Sequence, residues 1–226
     1  MGAVIGELLP LAVGVAISPI PVIGAILMLL GKRARTTSIG FAFGWLFGII
    51  VATTIFVIVG GAFGGGSAAN AWIKIGAGAL LLGVGLRQWR SRDAAAGRPK
   101  WMAAIDEMKV PAATALGFAL AAINPKNLLM CIGAGVAIGG AELDTASDVI
   151  VVAVFSVLAA TTVVIPVLAY QLAADRLRVP LDRLKSWLEA NNATVMATLI
   201  LVIAALLIGK GLSLIHISEP TRLGMI

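Results

Sequence analysis

Ser18-Pro19-Ile20-Pro21 and Asn124-Pro125-Lys126-Asn127 set hydroxyl, amide and ammonium groups beside prolines near the middle of long apolar segments. Proline has no N–H, so it frees a backbone carbonyl one turn back and breaks or kinks a helix. A freed carbonyl in hydrocarbon is costly unless it is buried in protein or faces water. Lys126 lies about 20 Å into its segment at 1.5 Å per residue, near a bilayer midplane. An ammonium there costs on the order of 3 kcal/mol on insertion scales and is too deep to snorkel. Glu7 and Asp148 lie at segment ends, and no Asp or Glu sits well inside an apolar segment. Three readings of Lys126 stay open. Carbonyls freed by Pro19, Pro21 and Pro125 hold it, or it is neutral, or its partner is an anionic substrate. These groups can bind and release an anion; they are not a set for breaking covalent bonds.

The rest of the chain offers little to an enzyme. It has no pair of deep carboxylates, no Cys-x-x-Cys and no glycine-rich phosphate loop. The single cysteine, Cys131, excludes an internal disulfide and a two-thiol redox centre, and its apolar setting reads as core. The single histidine, His216, lies in Leu212-Ser213-Leu214-Ile215-His216-Ile217-Ser218-Glu219-Pro220-Thr221-Arg222, which resembles a translated sequencing adapter. Residues 213–226 are therefore read as a non-native tail, and no metal site or cofactor is expected.

The elements that position the two motifs are membrane helices. The 226 residues are 60% hydrophobic and 12% charged, with mean hydropathy +1.03, against about 25% charged residues in soluble domains. Six apolar stretches are long enough to span: 8–30, 38–59, 70–86, 112–138, 148–173 and 193–212. The first lacks a basic leader and is too long for a signal peptide, so it reads as a retained span. The net charge of +6 is carried by short loops and does not indicate nucleic acid. Lys32, Arg33 and Arg35 follow the first span, Arg87 to Lys109 the third, and Arg176 to Lys185 the fifth. The intervening loops carry no Lys or Arg, so the basic loops are expected in the cytoplasm and both termini outside.

The chain also reads as two matching halves. Ala52-Thr53-Thr54 recurs as Ala160-Thr161-Thr162, and Leu80 to Leu86 recurs as Leu206 to Leu212. With three spans each, the halves would insert in opposite directions. The predicted fold is an all-α integral membrane protein of six helices in two inverted three-helix repeats, the first helix of each being broken. Residues 1–212 form one membrane domain. Repeat one covers 7–86, a basic cytoplasmic loop 87–111, and repeat two 112–212. A duplicated unit interrupted at equivalent places is the sequence pointer to a transporter's site. The candidate site residues are Ser18, Pro19, Pro21, Asn124, Pro125, Lys126 and Asn127, with Thr53, Thr54, Thr161 and Thr162 as hydroxyls in the flanking helices. Thr hydroxyls often bond their own helix, which is the plainer reading of the Thr pairs.

Three further patterns are structural. Gly40, Gly44 and Gly48 form a small-residue ridge for close helix packing. Leu177, Leu181, Leu184, Trp187 and Leu188 fall at helical spacing among charges. That segment reads as an amphipathic helix on the cytoplasmic leaflet or as a loop helix packed on the bundle. Trp89 and Trp101 read as interface anchors.

At these residues the chain resembles the LysE transporter superfamily, and within it the sulfolipid-1-addressing or peptidoglycolipid-addressing proteins of mycobacteria and related actinobacteria. The resemblance rests on Leu9-Pro10-Leu11 leading into Ser18-Pro19-Ile20-Pro21, on Lys32-Arg33-Ala34-Arg35, on Phe43-Gly44-Trp45, and on Leu120 to Asn127. It covers the chain from Glu7 to Leu212. It implies a bacterial plasma-membrane protein that moves a glycolipid or lipid precursor toward the cell envelope. An anionic lipid or amphiphile is then the expected partner, alongside the bilayer and a larger lipid-export machinery or a homo-oligomer. Two alternatives stay open: a non-transporting accessory subunit, and a LysE-type exporter of small solutes or amino acids.

The loop pattern has a direct check. A cysteine placed between Gly60 and Ala69 is expected to react with an impermeant maleimide from outside intact cells, and one at Arg92 only after permeabilisation. The opposite pattern would overturn the inverted arrangement.

Overall fold

In the computed structural model, residues 1–62 and 105–217 are described, together with isolated positions 76, 79, 82 and 83. The described residues hold helices and a single 3-10 turn, Ile105–Glu107, with no strand. The expected third span (70–86) and most of the basic loop (87–111), with Trp89 and Trp101, lie outside the described residues.

The first apolar segment forms two helices, α1 (Gly2–Ala16) and α2 (Pro19–Leu30), bent by 52° at their junction. Helix α3 (Ala34–Ala62) follows as an unbroken span. The fourth apolar segment again forms two helices, α4 (Val110–Ala122) and α5 (Pro125–Gly139), bent by 63°. Both bends follow from local chemistry. A residue before proline is driven out of the helical region, and Ser18 (φ −77°, ψ 109°) and Asn124 (φ −62°, ψ 119°) are extended. Pro19 and Pro125 then open the next helix at a position where the missing N–H has no intrahelical partner to lose.

The last element, α6 (Thr145–Ile217), begins at Asp144, whose carboxylate accepts hydrogen bonds from the Ser147 N–H at 3.0 Å and the Ser147 hydroxyl at 2.6 Å. The Ser147 hydroxyl, and then its N–H, hold the Asp144 carboxyl below its ordinary range. The first part of α6, Thr145–Ala174, is a second unbroken span. It ends at Ala173, whose backbone leaves the helical region (φ −144°, ψ 49°). Arg176–Asn192 and Thr194–Leu206 follow, bent by 66°. Among the described residues, two helices are thus long and apolar enough to cross a membrane, or up to five spans if each bent pair is one. Their apolar side chains stand exposed, as at Phe43, Ile58, Val149, Val157 and Leu172. A lipid-facing surface takes that form.

The amphipathic segment packs on the bundle, one of its two expected readings. Leu181 and Leu188 are buried in the bundle core, and Leu177 packs against it, while Leu184 and Trp187 stay exposed. Its face is divided because only the i, i+7 pair points straight at the bundle.

Small residues set how closely α3 meets the broken pair. A Cβ at Gly44 would collide with the Thr114 carbonyl, and one at Gly117 with the Phe41 carbonyl. Higher along α3, a Cβ at Gly135 would strike the Thr53 carbonyl and one at Gly139 the Val57 carbonyl. The ridge at Gly40, Gly44 and Gly48 therefore serves α4, and the glycines of α5 answer it on the other side of the bend. Van der Waals packing of this kind drives helix association where water gives no help. Gly44→Ala is expected to destabilise the detergent-solubilised protein by about 1–3 kcal/mol through overpacking. Gly6→Ala, where a Cβ meets nothing within 4 Å, is expected to be neutral or slightly stabilising. Thermal unfolding of the two variants checks the contrast.

Candidate functional site

The two helix breaks, far apart in sequence, touch in the fold. The Lys126 Nζ donates to the Ser18 hydroxyl at 3.2 Å. The Ser18 hydroxyl donates to Asn127 Oδ1 at 3.3 Å. The Asn127 amide Nδ2 donates to the Leu120 carbonyl at 3.0 Å. Ser18 and Asn127 are wholly enclosed and Lys126 is 2% exposed, so the chain of bonds runs through the interior, where hydrogen bonds polarise one another.

Each break solves its backbone problem with a side chain. In the second break, the Asn124 N–H bonds to the Ala119 carbonyl at 3.2 Å. That leaves the Leu120 carbonyl without its helical donor, and the Asn127 amide supplies one. Asn124 caps α5 through its own side chain, which accepts the Lys126 N–H at 3.1 Å. In the first break, the Thr162 hydroxyl of α6 donates to the Ala16 carbonyl, which α1 leaves open at its last turn. Ser18 occupies the position of Asn124 but makes no such cap; its hydroxyl is turned across the seam to Lys126 and Asn127.

The Leu120 and Ala16 carbonyls are thus held by Asn127 and Thr162, and the contacts of Lys126 are with side chains. Lys126's other contact is the Met196 thioether, at 3.8 Å. Among the described residues it meets no carboxylate. A thioether is a weak acceptor, so the ammonium has one good partner, the Ser18 hydroxyl, and hydrogen-bonding capacity to spare. Met196 belongs to the segment after the 66° bend, and no sequence signal links it to the motifs 70 residues earlier.

The remaining expected residues separate. Pro19 and Pro21 are buried at the start of α2, and Pro125 is exposed at the start of α5. Thr53 is fully enclosed, and its hydroxyl faces the buried Cys131 thiol. Thr54 points the other way, into a surface groove of about 430 Å³ shared with Ile58, Thr145 and Asp148. Thr161 bonds its own helix at the Leu158 carbonyl, 2.8 Å away, as the plainer reading of the Thr pairs has it. Thr162 departs from that reading by crossing to Ala16. No group of three or more metal-ligating side chains forms among the described residues.

The geometry makes the network's stability testable. Asn127→Leu removes both the Ser18 bond and the donor to Leu120, whereas Thr162→Val removes a single donor. Interhelical hydrogen bonds in membranes are worth about 0.6 kcal/mol on average and up to about 1.7. Asn127→Leu is expected to lower thermal stability in detergent more than Thr162→Val, by about 1–3 kcal/mol.

The comparisons with known proteins identify a family. No curated protein and no solved structure matches the chain. One family model, described as Sap, sulfolipid-1-addressing protein, matches residues 8–213, a span that holds both helix breaks, Thr162 and Met196. The chain therefore belongs to the sulfolipid-1-addressing protein family.

Proposed function

We propose that the protein is a plasma-membrane transporter that moves an anionic amphiphile, a glycolipid or lipid precursor, toward the cell envelope. The observation that carries this reading is Lys126. It is a buried ammonium at the meeting point of two broken helices, with a hydroxyl and a thioether for company. Ionisable residues inside a membrane mark substrate paths more often than they stabilise a fold. An anionic head group, such as the sulfate of a sulfolipid, would complete the coordination that Ser18 begins.

On this reading the described arrangement is the closed one, because Lys126 is 2% exposed. Opening the seam between the two breaks would exchange the Lys126–Ser18 bond for a bond to the substrate. The six spans form two inverted halves with both termini outside, and the breaks sit at the pivot. Transport needs no covalent step, and no cofactor takes part.

Reconstitution into liposomes tests the reading. Lys126→Gln is expected to cut the rate of transbilayer movement of a sulfated glycolipid by about ten- to a hundredfold, the equivalent of one charge-assisted hydrogen bond of roughly 1.5–3 kcal/mol. The variant should keep its thermal transition. Lys126→Arg is expected to rescue only in part, since a planar fork does not replace a point charge. Wild-type rates in Lys126→Gln would exclude the anion role. No movement by the wild-type protein alone, restored by a co-purifying lipid exporter, would make this chain an accessory subunit.

A further inference from the structure

The first helix break has a second face. Ser18 meets Lys126 and Asn127, but its neighbours Ile17 and Pro19 line a groove of about 380 Å³. Ile165 and Pro166 of α6 and Leu184 and Leu188 of the amphipathic segment line it as well. The groove opens to the lipid side, since Ile17, Ile165 and Leu184 are exposed.

Its lining decides what can lie in it. The only hydroxyls there belong to Thr161 and Thr162, and both are engaged by backbone carbonyls, Leu158 and Ala16 respectively. Each hydroxyl has its proton committed, so the groove offers a ligand no free side-chain donor. An extended peptide would bring C=O groups that no side chain in the groove satisfies. A hydrocarbon chain brings no polar group.

We infer that this groove binds one acyl chain of an amphiphile, lying along Ile165 and Pro166 while its polar head approaches Lys126 past Ser18. The inference rests on the amphiphile-transport reading and adds to it a seat for the tail. One backbone break then presents an apolar wall on one side and the Ser18 hydroxyl on the other, which matches the two ends of a lipid. The seat is contributed partly by Leu184 and Leu188, so the amphipathic segment becomes part of the site. Hydrocarbon gains nothing by leaving one apolar phase for another. Selectivity over bulk lipid therefore comes from shape alone and is modest.

Photolabelling reads this out without transport. The full chain is reconstituted in phosphatidylcholine vesicles containing phosphatidylglycerol with a diazirine in one acyl chain. Peptides carrying residues 161–166 and 184–188 are expected to label about fivefold more than those carrying Ile39 and Phe43 on the open lipid face, a preference near 1 kcal/mol. Ile165→Trp, at an exposed position that tolerates bulk, is expected to fill the groove and level the ratio. Because the groove does not contact the ammonium, Lys126→Gln is expected to keep the labelling. Labelling that persists in a Lys126→Gln variant with normal transport leaves the acyl seat standing and removes the anion role. Even labelling of all lipid-facing peptides in the wild-type protein would overturn the inference. So would a disulfide between two copies of an Ile165→Cys variant, which would put a second chain at the groove.

Discussion

A membrane interior gives backbone groups no water to fall back on, and that constraint organises this protein around its two helix breaks. Each break opens a carbonyl that must find a donor inside the protein. The Leu120 carbonyl finds Asn127, and the Ala16 carbonyl finds Thr162. Ser18 and Lys126 then extend the Asn127 contact across to the other break. A break thus becomes a junction, because the side chains that satisfy it come from elsewhere in the fold.

The junction joins two differently built parts. Helices α3, α4 and α5 meet at glycines, with backbone carbonyls lying where side chains would otherwise be. Helices α1 and α2 pack mainly on α6. Where α1 meets its neighbours at Gly14, the facing groups are the flexible ends of Ile203 and Met130. Close glycine contacts tolerate little sliding, whereas side-chain ends can repack. Ser18 lies in the second part and Lys126 and Asn127 in the first. The polar chain therefore crosses from one part to the other.

The same location accounts for the pairing of polar and apolar surfaces. Pro19 fixes the chain direction at the first break, so consecutive residues Ile17, Ser18 and Pro19 cannot share one face. The hydroxyl goes inward to the ammonium and the flanking apolar groups go outward to the groove. The amphipathic segment adds Leu188 to both the core and the groove, which ties a surface helix to the centre of the bundle.

The sequence by itself determined the membrane character, the positions of both bends and the candidate residues around them. Those follow from local rules: hydropathy over about 20 residues marks a span, and proline constrains its own backbone and that of the residue before it. The glycine ridge on α3 was legible for the same reason, since spacing on one helix is a local property. Only the tertiary structure decided which groups meet. It set Asn127 on the Leu120 carbonyl and Thr162 on the Ala16 carbonyl, gave Lys126 the Ser18 hydroxyl and Met196, and divided the second Thr pair into a helix-bonded Thr161 and a cross-linking Thr162. Hydrogen-bond partners depend on distances between segments a hundred residues apart. A one-dimensional pattern carries the donors and acceptors but not the packing that brings them within 3 Å of each other.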